Sequence, residues 1–204
     1  MDALLIVNKP KGLTSRDVVN ELNHIFSTKK IGHTGTLDPN ATGVLVCLIG
    51  KYTKLVNLIT SYDKEYIAEI KLGVKTDTDD ITGNIIAKEN TTLTLNKIEK
   101  VFSSFPTSYD QQVPIYSAVK IKGKKLYEYA RENIDITLPK RRVNIYSLEL
   151  LSFQDNIITF KTKVSKGTYI RSLINDICTN LNTIGTMLKS RIKKETGGEP
   201  TTIC

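Results

Sequence analysis

The segment of the sequence with the greatest chemical potential is residues 32–43, which read GHTGTLDPNATG. Its one carboxylate, Asp38, precedes a proline, which biases the aspartate backbone towards extended geometry and away from helix. The glycines around it permit the backbone of a ligand to approach closely. A carboxylate fixed in such a loop can act as a nucleophile or general base if a nearby cation sets its ionisation. An isolated Asp-Pro pair is more often a plain turn, so the surrounding residues carry the chemical interpretation.

The net charge of the chain indicates which kind of partner it binds. Its 204 residues include 29 Lys and Arg against 21 Asp and Glu, a formal charge of +8. This excess favours a polyanionic partner, with nucleic acid ahead of a membrane surface. His33 lies in the same loop as Asp38, where a histidine can stack on a base, although a lone loop histidine is more often an exposed bystander.

Several classes of protein are excluded by composition. The three cysteines are far apart and form no Cys-x-x-Cys pair, and only two histidines are present. These counts argue against a disulfide framework and against a metal site. Neither a membrane-spanning apolar run nor a signal peptide is recognisable. We therefore expect a cytoplasmic protein that holds no metal and binds no membrane.

Hydrophobic periodicity predicts the elements that position these residues. Three helices are expected, the first capped by Thr14 or Ser15, the second by Thr94 and the third by Thr168. Strands are expected as a short buried strand at residues 3–7, a continuously apolar run at 44–49, and alternating patterns at 66–72 and 158–164. Residues 31–43 are expected to be an ordered loop. The irregular order of helices and strands favours an α+β or mixed α/β sheet with hairpins over a doubly wound sheet.

Residues 114–142 form a basic segment in which cations alternate with tyrosines. Eight lysines and arginines lie in this segment. The seven that carry the interpretation, together with three tyrosines, are Lys120, Lys122, Lys124, Lys125, Lys140, Arg141, Arg142, Tyr116, Tyr127 and Tyr129. Because little helical or strand periodicity is present, we expect little core here and a mobile element, and its cations and tyrosines are suited to contact with RNA. The competing interpretation is a solvated basic loop that aids solubility.

Taken together, residues 32–43 and the following Val44-Leu45 resemble the signature of the tRNA pseudouridine synthase B family. Six further blocks carry the same resemblance in order, over residues 3–192. They are KPKGLTS from Lys9, DKEY from Asp63, GVKTDTDDITG from Gly73, YSAVK from Tyr116, GKKLYEYAR from Gly123 and SKGTYIR from Ser165. The resemblance implies the pseudouridine synthase fold, a central and largely antiparallel mixed sheet flanked by helices. It also implies a catalytic domain over residues 1–194 with a basic RNA-closing insertion at 114–142. A tail at 195–204 follows, without the complete C-terminal PUA-like domain common in the family.

The family resemblance further implies isomerisation of uridine 55 in the T-loop of tRNA to pseudouridine, by a monomer and without a cofactor or metal. Residue by residue, Asp38 matches the nucleophile, Tyr66 the active-site tyrosine and Arg171 the arginine that pairs with the aspartate. The RNA and substrate contacts implied by the same matches, together with the basic segment, are His33, Lys9, Tyr169, Leu188, Lys120, Lys140, Arg141 and Arg142.

Some alternatives stay open at the level of sequence. The carboxylate of Asp38 can attack C1′ of the ribose or C6 of the uracil, and a phenol at Tyr66 suits either stacking or removal of the C5 proton. A non-catalytic RNA-binding or RNA-chaperone domain would need the basic surface but not Asp38, Tyr66 and Arg171 together. A guide-RNA-dependent synthase subunit is disfavoured because such chains are longer.

Overall fold

The computed structural model describes residues 1–196, which form one extended mixed sheet with helices packed against it. The strands of this part of the chain are β1 (Ala3–Lys9), β2 (Ile31–His33), β3 (Thr42–Ile49), β4 (Asp63–Leu72), β5 (Val74–Thr76), β6 (Ile85–Lys88), β7 (Ser108–Gln112), β8 (Lys120–Ile121), β9 (Lys124–Lys125), β10 (Lys140–Gln154), β11 (Ile157–Val164) and β12 (Gly185–Thr196). The α-helices are α1 (Ser15–Ile25), α2 (Val56–Thr60), α3 (Leu95–Ser104), α4 (Leu126–Arg131) and α5 (Ile170–Asn180), and a 3₁₀ helix spans Gly50–Leu55.

The main sheet follows the order β1-β3-β12-β4-β11-β10-β7, and β2 pairs with β3. Its neighbours are antiparallel except for β12 and β3, which run parallel. β10 and β11 form a hairpin, and β5-β6 and β8-β9 are separate two-stranded ribbons. The expectation of a mixed, largely antiparallel sheet with hairpins is confirmed.

The helices begin where side chains satisfy their free backbone amides. Thr14 caps α1 in a capping box, in which its Oγ1 accepts from the Asp17 amide at 3.0 Å and Asp17 accepts from the Thr14 amide at 2.8 Å. Thr94 caps α3 in the same sense. The predicted cap of α5 was wrong, because the helix begins after Tyr169 and the hydroxyl of Thr168 instead donates to a carbonyl in the preceding turn.

Two hydrophobic cores lie against the sheet. The larger is formed by β4, β10, β11 and β12 with α3 and α5, and the alternating positions of β4 and β11 predicted from sequence point into it. The smaller joins α1 to β2 and β3 and includes Leu37, Ala41 and Ile192. Tyr66 packs against both cores, so it lies at the seam between them.

Three strand predictions need correction. β1 is not fully buried, because it forms an edge of the sheet and leaves Leu4 and Ile6 exposed on one face. Residues 31–43 are not a loop throughout, since their first three residues pair with β3 as β2 and their last two begin β3. The predicted tail starts too early, because β12 continues to Thr196, while the rest of that tail lies outside the described residues.

The basic segment at residues 114–142 contains more regular structure than its sequence indicates. It includes the β8-β9 ribbon and α4, and Leu126 is completely buried. Lys140, Arg141 and Arg142 open β10 and pair with β7. The expectation of little core here was wrong because two-residue strands and a six-residue helix are too short to produce a recognisable period.

Glycine is required at position 43, where the two cores meet. Gly43 pairs with Ile192 across the parallel β3-β12 contact and has a φ of +105°. A Cβ atom there would lie 2.2 Å from the carbonyl oxygen of Ile192. Only glycine therefore lets these strands approach, which brings the loop carrying Asp38 to the centre of the sheet.

Replacement of Gly43 by alanine is expected to destabilise the fold more than the matched change Gly123→Ala. Both glycines have positive φ, at +105° and +83°, so both variants lose about 1–3 kcal/mol to backbone strain. Gly123 has nothing within 4 Å of its would-be Cβ. The clash at Gly43 should cost a further 1–3 kcal/mol or so, as overpacking does. Urea unfolding of the two variants measures the difference, and equal stabilities would contradict the assigned close approach.

Candidate active site

The loop that carries Asp38 is held from below by a buried lysine. The ammonium of Lys9 donates to the carbonyl oxygens of Pro10 at 2.9 Å, Leu13 at 2.5 Å and Pro39 at 3.3 Å. The amide of Gly12 also donates to Pro39, at 2.8 Å. Lys9 has no exposed surface, and burial lowers its pKa while Asp38 and Asp17 oppose that change. Lys9 thus fixes the turn that follows the aspartate.

Two further contacts tie the same loop to its neighbours. The Leu37 amide donates to the buried hydroxyl of Ser15 at 2.8 Å, at the start of α1. The Asn40 side chain donates to the carbonyl oxygen of Leu188 in β12 at 3.0 Å. Asp38 is therefore flanked on both sides by anchored residues.

Asp38 faces Arg171, from the first turn of α5, in a two-point ion pair. Arg171 Nε lies 3.0 Å from Asp38 Oδ2, and Arg171 Nη2 donates to Oδ1 at 3.1 Å. The remaining donors reach the carbonyl oxygens of Thr78 at 3.1 Å and Tyr116 at 3.0 Å. The guanidinium is nearly buried at 9% exposure, whereas the Asp38 side chain keeps 35%. The carboxylate is therefore held on one edge and open on the other.

Electrostatic effects on Asp38 act in opposite directions. Burial raises the pKa of Asp38, and the adjacent Arg171 lowers it. The carboxylate of Asp80 raises the pKa further, while Lys9 lowers it. The net direction is upward, so Asp38 takes up a proton at a higher pH than a free aspartate does.

The open edge of Asp38 faces a cleft of about 480 Å³. Its lining combines aromatic rings with small polar groups, including Tyr66, Tyr116, Ser117, Tyr127, Thr168, Tyr169, Met187 and Ser190. A partly apolar cleft of this size with a few convergent polar groups is typical of a site for a small planar ligand. An ionised carboxylate at its floor can attack an electrophilic carbon of that ligand.

The structure brings together Asp38, Arg171, Tyr66 and Tyr169, but it places other predicted site residues elsewhere. Lys9 lies beneath the loop rather than on the cleft wall. Leu188 does not line the cleft, because a register shift in β12 between residues 187 and 189 presents the neighbouring side chains instead.

His33 is half-buried at the end of β2 and also lies outside the cleft lining. Its Nδ1 is 2.7 Å from the carbonyl oxygen of Gly35. Burial lowers the pKa of His33, the Gly35 carbonyl raises it and Arg16 lowers it. A neutral imidazole in this position must donate from Nδ1, which leaves Nε2 as an acceptor.

The predicted basic RNA contacts are all exposed. Lys120 lies on the β8-β9 ribbon, while Lys140, Arg141 and Arg142 lie at the start of β10. Arg141 and Arg142 line a separate groove of about 540 Å³ together with Lys166 and Gly167. This groove adjoins the cleft through the turn that ends at Tyr169.

Sequence reasoning missed the parts of the site that act through backbone atoms. The carbonyl oxygens of Thr78 and Tyr116, which hold Arg171, leave no side-chain signal, although both residues fall within the quoted motifs. Met187 and Ser190 were missed because β12 has an irregular register. Gln111, which bonds the Tyr169 amide at 2.8 Å, was missed because it lies 58 residues away in sequence.

A family match accompanies this geometry. Residues 23–170 match the family model described as TruB family pseudouridylate synthase (N terminal domain). The chain belongs to this family. It is 48% identical over 194 residues to the tRNA pseudouridine synthase B of Caldicellulosiruptor saccharolyticus, covering 95% of this chain and 67% of that protein. It is 48% identical over 183 residues to that of Mesoplasma florum, covering 89% of this chain and 64% of that protein. The chain thus spans about two thirds of the length of these relatives.

Solved structures with the same fold include members of RNA-protein complexes. A Cbf5-Nop10-Gar1 complex contains a chain that superposes with a TM-score of 0.72 at 29% identity, covering 94% of this chain and 48% of that one. An H/ACA RNP bound to a substrate RNA containing 2′-deoxyuridine gives a TM-score of 0.70 at 26% identity, with 94% and 47% coverage. The pseudouridine synthase fold expected from the sequence is confirmed.

No helix within residues 1–196 is long and apolar enough to span a bilayer. In the same part of the chain, no three His, Cys, Asp or Glu side chains cluster closely enough to hold a metal ion.

Removal of the guanidinium is expected to raise the pKa of Asp38 above its value in the unmodified chain. In Arg171→Met the lowering effect of the cation is lost while burial and Asp80 remain. The matched control is Arg142→Met, since Arg142 is 64% exposed and faces Asp110 instead. A ¹³C NMR titration of the Asp38 carboxyl measures both variants. An unchanged pKa in Arg171→Met would show that the ion pair does not set the ionisation of Asp38.

Proposed function

We propose that this chain isomerises uridine 55 of tRNA to pseudouridine, with Asp38 as the nucleophile. The observation that carries the proposal is the two-point Asp38–Arg171 pair at the floor of an aromatic cleft. Membership of a pseudouridylate synthase family supports the reaction class. The tRNA substrate rests on the names of the relatives at 48% identity. All residues that line the cleft belong to one chain, so a monomer of the catalytic unit, residues 1–194, can carry out the proposed reaction.

The reaction needs a uridine that has left its stack. A base within a folded loop is inaccessible, so the nucleotide must flip into the cleft, where Tyr66 and Tyr169 offer ring faces to the uracil. No redox step is required, because the base is detached and reattached without a change in overall composition. The chemistry therefore needs a nucleophile, a proton acceptor and a closed site, and no cofactor.

Two routes are compatible with the carboxylate. In the first, an Asp38 oxygen bonds to C1′ as the C1′–N1 bond breaks and the electron pair stays on N1. The freed uracil turns, C5 attacks C1′ and displaces the carboxylate, C5 loses its proton and N1 gains one. In the second, the carboxylate adds to C6 and the electron pair of the C5–C6 double bond moves into an enolate. The C1′–N1 bond then breaks with its pair left on N1, C5 bonds to C1′, and loss of the C5 proton expels the carboxylate from C6 while N1 gains a proton. Both begin with Asp38 ionised, which the adjacent Arg171 favours.

The phenol of Tyr66 has two roles that its position supports. It lies in β4 at the seam of the two cores and also lines the cleft. Its ring can stack on the uracil, and its oxygen, as the phenolate, can receive the C5 proton. Comparison of Tyr66→Phe with Tyr66→Leu separates these roles, because phenylalanine retains the ring and loses only the hydroxyl.

Stand-alone action on tRNA is favoured over assembly with a guide RNA. The relatives named tRNA pseudouridine synthase B are 48% identical to this chain, whereas the chains from the Cbf5 and H/ACA complexes are 29% and 26% identical. A non-catalytic RNA-binding domain would have no need of the paired Asp38 and Arg171. An assay of product formation without guide RNA tests both alternatives, because neither a guide-dependent subunit nor a non-catalytic domain would form pseudouridine in it.

The change Asp38→Asn is expected to abolish pseudouridine formation while leaving tRNA affinity within a few-fold. The amide keeps the shape of the side chain but cannot attack carbon, and affinity comes mainly from cations elsewhere. Asp155→Asn, in the exposed turn between β10 and β11, is the matched control. Carbodiimide-dependent reverse-transcription stops at position 55 of unmodified tRNA measure the product. Turnover by Asp38→Asn close to that of the unmodified chain would remove Asp38 from the mechanism.

The raised pKa of Asp38 gives this assay a pH dependence. A carboxylate nucleophile is lost as the pH falls through its pKa, so activity should decline on the acid side. In Arg171→Met the pKa is higher, so the decline should begin at a higher pH.

The basic groove supports the RNA-binding part of the proposal. Arg141, Arg142 and Lys166 place three cations around a concave surface that also carries the hydroxyls of Thr60 and Ser61. Phosphate oxygens are the ligands that such donors prefer. The turn through Gly167 joins the groove to the cleft, so RNA bound in the groove would lie beside a nucleotide in the cleft.

Replacement of Lys140, Arg141 and Arg142 by alanine is expected to flatten the salt dependence of RNA binding. Each lost phosphate contact reduces the slope of log K against log salt by about 0.7–0.9, so the triple variant loses up to two to three units. The control replaces Lys29, Lys30 and Lys51 by alanine. These three lysines are exposed near the C-terminal end of β3, and none of them lines the basic groove. Titration of a T-arm stem-loop at several salt concentrations compares them. Identical slopes for both triples would leave only a solubility role for the cations at 140–142.

A further inference from the structure

A chain of hydrogen bonds runs from the middle of α5, by way of β7, back to Tyr169, the residue that precedes the helix. The hydroxyl of Tyr109 donates to Asp176 Oδ2 at 2.7 Å. Gln111 Nε2 donates to the same hydroxyl at 2.9 Å, and Gln111 Oε1 accepts from the Tyr169 amide at 2.8 Å. Asp176 lies seven residues after Tyr169, about two turns along α5. The three side chains therefore bridge two points of one helix.

Each bond in this chain has a defined direction. Burial, together with the bond to Asp176, raises the pKa of Tyr109 far above its usual range, so its hydroxyl stays protonated and donates. Because the Tyr109 hydroxyl donates to Asp176, only its lone pairs are available to Gln111. Gln111 must therefore donate to it from its NH₂ group. The Gln111 carbonyl is thereby turned towards Tyr169. Gln111 is only 1% exposed, so water cannot readily replace it.

The Tyr169 amide needs such a partner because α5 has no side-chain cap of its own. A second contact holds the same end of the helix, since the Ser172 hydroxyl donates to the carbonyl oxygen of Gln112 at 2.8 Å. The residues held in this way include the two that face the reacting centre. Tyr169 lines the cleft, and Arg171 pairs with Asp38.

We propose that Gln111, oriented by Tyr109 and Asp176, is a positioning residue for the isomerisation proposed above: it fixes the start of α5 and so sets where Tyr169 and Arg171 meet the substrate and Asp38. Gln111 does not line the cleft, and its side chain bonds Tyr109 and the Tyr169 amide rather than Asp38. It acts through the backbone of Tyr169, and its effect belongs to the chemical step rather than to RNA binding.

The variants Gln111→Met and Tyr109→Phe test this proposal with a T-arm stem-loop RNA. Single-turnover pseudouridine formation should fall on the order of 10- to 100-fold, because small displacements of reacting groups are this costly. The Kd for the RNA should stay within about threefold, since the phosphate contacts are elsewhere. Asp176→Asn should retain most of the rate, because the amide oxygen still accepts from Tyr109. Gln112→Met is the matched control, an adjacent exposed glutamine on β7.

Rates unchanged in both Gln111→Met and Tyr109→Phe, or equal losses in Gln111→Met and Gln112→Met, would overturn the proposal. Thermal unfolding identifies a variant that fails to fold. If Gln111→Met does not fold, the rate of Tyr109→Phe, which removes a single hydroxyl, tests the proposal instead.

A measurement without RNA distinguishes failure of the proposed function from failure of the positioning role of Gln111. If the unmodified chain forms no pseudouridine, the ¹³C NMR titration of Asp38 still reports on Arg171, with Asp80 and Lys9 as the other charged groups that act on this carboxyl. The pKa of Asp38 should rise in Gln111→Met and not in Gln112→Met. An unchanged pKa in Gln111→Met would overturn the positioning role independently of the reaction.

Discussion

The pairing of Asp38 with Arg171 is the interaction on which the rest of the site depends. The two residues are 133 positions apart and belong to different cores, Asp38 to the loop over the smaller core and Arg171 to a helix of the larger one. A guanidinium at 9% exposure is costly to desolvate unless it is fully bonded. Four hydrogen bonds and ion contacts to Asp38, Thr78 and Tyr116 meet that requirement. The pair can therefore form only when the strands that join the two cores are paired in one sheet. The site is assembled by folding of the whole domain and not by a local segment.

The same requirement explains why arginine, and not lysine, suits position 171. The planar guanidinium bonds the carboxylate along one edge and two carbonyl groups along others, which a single ammonium cannot do in this geometry. Lys9 shows the complementary case, since its compact ammonium is surrounded by three carbonyl oxygens and holds the Asp38 loop from behind. Asp38 is thus placed between two cations with different tasks. Arg171 bonds the carboxylate of Asp38, and Lys9 bonds the backbone carbonyl group of Pro39, the next residue in the chain.

Local patterns in the sequence predicted the elements well, and distant contacts escaped them. The capping box at Thr14 and the alternation along β4 and β11 depend on residues within a few positions of one another, so they can be read directly. The fold and the pairing of Asp38 with Arg171 were expected from the family resemblance. The start of α5 was misplaced by one residue because its partner, Gln111, comes from another strand. Leu188 was expected in the cleft, but the register of β12 is irregular, and Met187 and Ser190 line the cleft in its place. Bulges and side chain-to-backbone bonds across the sheet have no periodic signature.

One turn connects the cleft with the basic groove. Ser165, Lys166 and Gly167 line the basic groove, and Thr168 and Tyr169 line the cleft. Five consecutive residues span at most about 14 Å between their first and last Cα atoms. The turn is braced on the groove side by Arg141, which lies against Gly167, and on the cleft side by Gln111. Since both braces come from β7 and the start of β10, which are paired, the spacing between the groove and the cleft is set by the sheet rather than by a flexible loop. Under the proposed function, a rigid spacing of this kind would select RNA whose backbone delivers a uridine at one fixed distance from a bound phosphate, which is a form of recognition by shape.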